Sequence, residues 1–91
     1  METDSKIRIP VSDLDEILRV LKEKKTDVQI NKDYNSIVIE KGLKKFEVNK
    51  NGSVKGSMPR HSFHTDRADS LEIEEDEIEV CYEGGNYVFK I

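Results

Sequence analysis

The sequence predicts an α+β domain in which one N-terminal amphipathic helix packs on a mostly antiparallel sheet. The kind of apolar residue supports a sheet, because isoleucine and valine supply 17 of the 32 apolar positions and Ala68 is the only alanine. β-Branched side chains favour strands, whereas alanine is the best helix former. A single helical stripe lies near the start of the chain, and beyond Asp27 apolar and polar residues alternate. The 91 residues suit one domain.

The helix is predicted over about 12–25. Ser12 or Asp13 can cap it, with an acidic residue three positions later, as in a capping box. The apolar residues then recur at the spacing of one helical face, at Leu14, Ile17, Leu18 and Leu21. Lysines at 22, 24 and 25 suit the negative end of the helix dipole. We expect the apolar stripe to lie on the sheet.

The remaining chain predicts six to eight short strands, which begin with a strand near Lys6–Ile9 that Pro10 ends. Residues 1–5 are expected to form a flexible tail and residues 6–91 one globular domain. The domain is then divided, in chain order, into the helix, a meander at 27–57, an irregular connection at 58–69 and a second meander at 70–91.

Two hairpins can be registered from the phase of their apolar residues. A three-residue loop at 50–52 puts Val48 opposite Val54 and Phe46 opposite Gly56, and a strand glycine facing an aromatic ring is a known compensation. For the C-terminal hairpin, a loop at Gly84-Gly85 predicts that Val80 lies opposite Phe89 and that Tyr82 lies opposite Tyr87.

The composition limits the classes of function. A net charge of −4 argues against a protein that coats nucleic acids regardless of their sequence, because binding to phosphates needs a positive surface. One cysteine, Cys81, excludes an internal disulfide and suits a reducing compartment. No apolar run has the length of a membrane span. We therefore expect a cytoplasmic protein without a membrane partner and without a cofactor.

The segment from Gly52 to Arg67 holds both histidines, and its residue types suggest two kinds of chemistry. His61 and His64, with Asp66, are residue types that bind zinc, but there is no second pair of ligands. Ser62, a histidine and Asp66 match the residue types of a catalytic triad. One short loop rarely supplies that geometry, and no nucleophile elbow is present. The sequence thus favours a protein that is not an enzyme.

The same segment is basic and contains an aromatic residue, and its candidate partner-binding residues are Lys55, Arg60, His61, Phe63, His64 and Arg67. Such residues can contact phosphates and stack on a base. Alternatively, Met58 and Phe63 can anchor an ordinary connection in the core, while the polar residues face water.

A second candidate surface is the acidic face of the C-terminal meander, predicted to present Glu72, Glu74, Glu77 and Glu79. Glutamates opposite each other across two strands destabilise a sheet slightly, unless a basic partner or neighbouring lysines neutralise them. The leading hypothesis is a non-enzymatic protein-binding or regulatory module that uses the 55–67 loop and this acidic face. Its partner would be another protein or a second copy of the chain. Two copies could associate head to tail through their opposite charges, or isologously through an uncovered sheet edge. A nucleic-acid-binding domain using Lys55–Arg67 is the alternative, and a metal-binding protein is the third.

Overall fold

The computed structural model describes residues 7–91, and the side chains from residue 8 onward. The predicted tail at 1–5 and the start of the predicted first strand lie outside the described residues. The chain forms one helix and nine strands in the order β1 Ile7–Pro10, α1 Leu14–Lys24, β2 Gln29–Lys32, β3 Ser36–Lys41, β4 Lys44–Asn49, β5 Val54–Met58, β6 His61–Thr65, β7 Ala68–Ile73, β8 Glu77–Tyr82 and β9 Gly85–Lys90.

The strands form two antiparallel sheets, which confirms the α+β class. The first sheet has the order β1-β7-β8-β9, and the second has the order β2-β3-β4-β5-β6. The described chain therefore has nine strands where six to eight were predicted, and they form two sheets where one was predicted. The strand missing from the prediction is β6, and the division into two sheets arises because the chain crosses from β6 to β7 without pairing them.

The helix confirms the prediction closely. Asp13 is its N-cap and accepts a hydrogen bond from the Glu16 N–H at 3.3 Å. Its buried stripe consists of Leu14, Ile17, Val20 and Leu21, whereas Leu18, which was predicted for the stripe, is only half-buried. The helix packs against β3 of one sheet and β7 of the other, so it covers the side of the structure where β1 and β2 lie.

The core lies between the inner faces of the two sheets. Phe46 of β4 and Phe89 of β9 are fully buried, and their ring centroids are 5.2 Å apart. A Cβ added at Gly56 would lie 3.0 Å from the Phe89 ring. Gly56 of the second sheet therefore leaves the space that the Phe89 side chain of the first sheet occupies.

The first predicted register is confirmed. Phe46 pairs with Gly56 and Val48 pairs with Val54. Gly52 closes the loop with φ +103°, a backbone conformation that favours glycine. The Gly52 carbonyl also accepts a hydrogen bond from the Ala68 N–H at 2.9 Å, which ties this hairpin to the start of β7.

The C-terminal register was wrong by two residues. Tyr82 pairs with Gly85 and Val80 pairs with Tyr87, so the loop consists of Glu83-Gly84 and Gly85 belongs to β9. A shift of two residues keeps every side chain on its predicted face. For that reason the faces were predicted correctly although the partners were not.

The predicted irregular connection at 58–69 was also wrong. A two-residue turn, Pro59-Arg60, joins β5 to β6, and Gly56 pairs with Phe63. Only residues 66 and 67 then separate β6 from β7. The strand was missed because Phe63 is the one large apolar residue in it, so the segment lacks the apolar alternation by which a strand is recognised.

No helix within residues 7–91 is long and apolar enough to cross a membrane.

Candidate functional site

The structure distributes the predicted partner-binding residues over two faces and two connections. Successive residues of a strand point to opposite sides of the sheet. Lys55 and His64 are directly paired on the outer face of the second sheet, whereas His61 and Phe63 lie on its inner face. Arg60 lies in the β5–β6 turn, and Arg67 follows β6. The six residues therefore lie on or next to β6, but they do not form one continuous surface.

The inner face of β6 is held by aromatic contacts with the first sheet. Phe63 and Tyr87 stack with their ring centroids 4.0 Å apart and their planes 3° apart. His61 stacks on Tyr87 at 5.5 Å, and Phe63 also meets Tyr82 at 5.5 Å. Burial raises the pKa of Tyr87. These contacts support the prediction that Phe63 anchors the segment, and Met58 packs against the core beside it.

The metal hypothesis for the two histidines loses its geometric basis. Residues three apart on a strand point in opposite directions, so His61 and His64 cannot reach one ion together. The His64 Nε2 lies 3.0 Å from the Asp66 Oδ1, whereas His61 stacks on an aromatic ring. No cluster of three or more histidine, cysteine, aspartate or glutamate side chains suited to a metal occurs within residues 7–91.

Ser62 and His64 share the outer face of β6 and Asp66 follows the strand, but the three are not joined as a triad. His64 contacts Asp66, and among the described residues no hydrogen bond connects Ser62 to His64. Ser62 and His64 are both exposed on an edge strand. A nucleophile needs a base within hydrogen-bond reach and donors for an oxyanion, and neither is visible here.

The glutamates predicted for the acidic face lie on β7 and β8, where Glu72 is opposite Glu79, with the exception of Glu74. The charges of this face are largely met within the protein. Arg8 of β1 pairs with Glu72, and this hydrogen bond raises the pKa of Arg8. The Asn86 amide donates to Glu79 at 2.6 Å, and the Lys90 Nζ lies 3.2 Å from Glu77. Glu74, the fourth residue predicted for this face, lies at the turn that follows β7.

The edge of β6 was not predicted and is the most distinctive feature of this region. Four strands, β1, β2, β6 and β9, form the sheet edges of the described chain. Natural edges are commonly protected by proline or lysine. Pro10 ends β1, Lys32 ends β2 and Lys90 ends β9, but β6, with the sequence HSFHT, contains neither residue type.

The main-chain groups that β6 turns outward can be assigned from the adjacent hairpin. The Asn49 N–H donates to the Ser53 carbonyl at 2.8 Å. Because bonded and non-bonded pairs alternate along an antiparallel ladder, Lys55 directs its main-chain groups to β4 and away from β6. Ser62 and His64 consequently direct their N–H and C=O groups away from β5. No described hydrogen bond between main-chain groups outside the ladders involves residues 59–66.

A signal for this edge was present in the sequence. Starting from the confirmed position of Gly56, a two-residue turn at Pro59-Arg60 places Phe63 beside it on the same face. Extending the register of the first hairpin by one strand would therefore have identified β6 and, with it, a sheet edge.

Comparison of the chain with protein-family models, with curated protein sequences and with solved structures gave no match.

Proposed function

We propose that the protein is a non-enzymatic protein-binding module that accepts an extended strand of a partner along β6. The observation that carries the proposal is an edge strand without lysine or proline, whose Ser62 and His64 main-chain groups point outward. Addition of a strand to such an edge is a recurring mode of peptide recognition. The main-chain hydrogen bonds supply affinity, and alternate side chains supply specificity.

The two faces of β6 define the chemistry of the strand that would fit. On the inner side, the strand would meet the half-buried Phe63 and the exposed His61 beside Tyr87, which favours apolar or aromatic residues. On the outer side it would lie near His64 and Lys55. Side chains that accept hydrogen bonds or carry negative charge suit that face.

The acidic face is a weaker candidate for the binding surface than β6. Three of its four predicted glutamates already have a cation or an amide donor from a neighbouring strand. A basic partner would have to displace those contacts, and exchanging one surface ion pair for another yields little free energy. We assign to this face a role in solubility and in protecting the first sheet.

The nucleic-acid alternative has less support. Phe63 stacks on Tyr87, so one face of its ring is occupied by a side chain of the same protein. Lys55 and His64 share their outer-face row with Glu47, and Asp66 contacts His64. A titration with short single-stranded oligonucleotides tests this alternative. If it is right, amide resonances of β5 and β6 shift, and the effect weakens steeply with salt.

A single matched pair of variants tests the strand-binding proposal. Ser62→Pro removes an outward N–H while leaving the bonds of β6 to β5, and proline is tolerated on an edge whose N–H faces solvent. Ser62→Ala alters the side chain alone. Immobilised wild-type protein and Ser62→Ala should capture the same proteins from a lysate of the source cells, and Ser62→Pro should lose them.

Equal capture by all three proteins would contradict the proposal, provided that circular dichroism shows Ser62→Pro to be folded. His64→Pro provides a second edge variant, because the His64 N–H also points outward. A cytoplasmic location, which the single free cysteine favours, remains part of the proposal.

A further inference from the structure

We infer that the strand accepted by β6 is β6 of a second copy of this chain, bound antiparallel about a twofold axis through Phe63. The inference rests on the proposed function and specifies its partner. It is carried by the order of residues around Phe63, which makes this edge complementary to itself in one register.

The main-chain groups permit few registers. In an antiparallel ladder, residues that direct their N–H and C=O groups toward the partner must lie opposite residues that do the same. Ser62 and His64 are the outward residues of β6. The axis can therefore pass through Ser62, through Phe63 or through His64. Only the register centred on Phe63 pairs Ser62 with His64 of the second copy on both sides of the axis. Each of these two pairs exchanges both of its main-chain hydrogen bonds.

The side chains favour the same register. Phe63 would lie opposite Phe63 of the second copy in a non-bonded pair, where opposed side chains are closest and aromatic pairs stabilise a sheet. Centring on His64 would instead place two histidines opposite each other, and centring on Ser62 would place Phe63 opposite His61. Both of those registers use fewer outward main-chain groups.

The flanking charges make the register complementary. With the axis through Phe63, Arg60 lies opposite Asp66 of the second copy, and symmetry repeats the contact at the other end. Arg60 is exposed and has no hydrogen bond or ion pair with any residue from 7 to 91. The Asp66 carboxylate is exposed and contacts His64 at 3.0 Å, so a second cation could reach it from the partner. Opposite charges opposed across strands stabilise a sheet.

The resulting dimer would be isologous and closed. The two second sheets would join edge to edge into one continuous sheet, in which both copies of β6 are interior strands. A twofold contact uses up the edge on both copies, so no edge of β6 remains for further addition. This explains how β6 can do without the lysine or proline that the other described edges carry.

Light scattering after size exclusion tests the inference with the full chain, over about 1 μM to 1 mM protein. The wild type should pass from one to two copies with rising concentration, and added salt should weaken the dimer because its charge pairs are exposed. The amide protons of Ser62 and His64 should exchange more slowly with solvent as concentration rises, while those on the β2 edge should not. Ser62→Pro should remain a monomer, and Ser62→Ala should dimerise.

A charge exchange tests the register itself. Arg60→Asp alone places two aspartates opposite each other, and Asp66→Arg alone places two arginines opposite each other. Each variant replaces two attractive pairs by two repulsive ones and should dimerise about tenfold more weakly than the wild type. A mixture of the two variants restores an opposite-charge pair at both ends. It should form a mixed dimer with an affinity near that of the wild type. Recovery in the mixture would not occur for a register centred on Ser62 or His64.

The outcomes separate this inference from the function on which it rests. A wild-type chain that stays monomeric over the whole concentration range overturns the dimer, and so does a dimer that Ser62→Pro leaves intact. If the chain is monomeric and Ser62→Pro still abolishes capture from the lysate, strand binding stands and the partner is a different protein. If neither measurement responds to Ser62→Pro, both proposals are wrong.

Discussion

Substitution of Gly56 by alanine should destabilise the protein, although alanine is normally better than glycine in a strand. The added Cβ would lie 3.0 Å from Cδ1 and 3.2 Å from Cε1 of Phe89. Ordinary carbon contacts are about 3.5–4.0 Å, so the ring would have to move by about 0.5 Å. Phe89 is fully buried and packs on Phe46, whose Cδ1 would itself lie 3.7 Å from the new methyl group.

The magnitude follows from two opposed effects. Overpacking a well-filled core costs about 1–3 kcal/mol. Replacing a strand glycine by alanine recovers about 0.5–1 kcal/mol, because glycine loses more conformational freedom on folding. The overpacking term is larger, and we expect a net loss of about 1–2 kcal/mol in the free energy of unfolding. For a domain of this size, each kcal/mol lowers Tm by about 4–8 °C.

Chemical denaturation of four proteins measures the effect and its cause. The set consists of the wild type, Gly56→Ala, Phe89→Leu and the double variant. Phe89→Leu alone should cost about 1–2 kcal/mol through lost packing. In the double variant the smaller side chain makes room for the methyl group. The stability lost by the double variant should therefore be about 1 kcal/mol less than the sum of the losses of the two single variants. Ser57→Ala, at the exposed neighbouring position, is the control and should change stability by less than about 0.5 kcal/mol.

Strict additivity would refute this reasoning, because it would mean that Gly56 and Phe89 do not share the same space. An unchanged or higher stability of Gly56→Ala would refute it as well. Either result would imply that the two sheets pack with a different spacing at β5 and β9.

Three further predictions concern groups away from β6. Lys25 is buried, and its Nζ donates to two carbonyls of the β7–β8 turn at 2.5 and 2.9 Å. Lys25→Met should therefore lower the free energy of unfolding in urea by about 1–3 kcal/mol, whereas Lys22→Met at an exposed position should leave it almost unchanged. Gly52→Ala should cost about 1–3 kcal/mol, since φ is +103° and the new Cβ would lie 3.4 Å from the Ala68 carbonyl oxygen; a neutral result in the same assay would exclude strain there. The pKa of Tyr87 is raised by burial, so its neutral form contributes stability that is fully present below the unfolded value of about 10 and is lost as the pH rises through the folded value. Absorbance of the phenolate should show a late ionisation step in the wild type, and Tyr87→Phe should remove that step.

The parts of the fold that the sequence predicted well are those in which two independent local signals agree. For the helix, the cap at Asp13 and the apolar stripe give the same start. For the first hairpin, the left-handed conformation of Gly52 and the phase of Val48 and Val54 select one loop length. Agreement of turn chemistry with apolar phase specifies a register, because a slip of one residue would expose the core face.

The C-terminal hairpin shows where such reasoning stops. Its two glycines permit a turn at Glu83-Gly84 or at Gly84-Gly85, and the corresponding registers differ by two residues. Both keep Val80 and Phe89 inside, so the apolar pattern cannot choose between them. The choice depends on packing against the other sheet, where Phe89 must lie over Gly56. That contact joins residues distant in sequence, and no local pattern contains it.

The segment from His61 to Thr65 was misjudged as irregular for a related reason. His61, Ser62 and His64 have no strong strand preference, and β6 exists because β5 offers it a partner. Once the segment is a strand, the alternation of its side chains separates His61 from His64. The metal hypothesis then loses its geometry, and the same alternation leaves the outward main-chain groups as the feature available for binding.

The topology supports our proposal that a partner strand binds at β6. Two sheets packed face to face leave two open sides, and a chain with one helix can cover one of them. The helix lies against β3 and β7 and so covers the side of β1 and β2. On the other side, the stack of Phe63 on Tyr87 shields the core but supplies no hydrogen bonds to the main chain of β6. Only another strand can satisfy those groups without water, and within the described chain every other strand is already placed elsewhere.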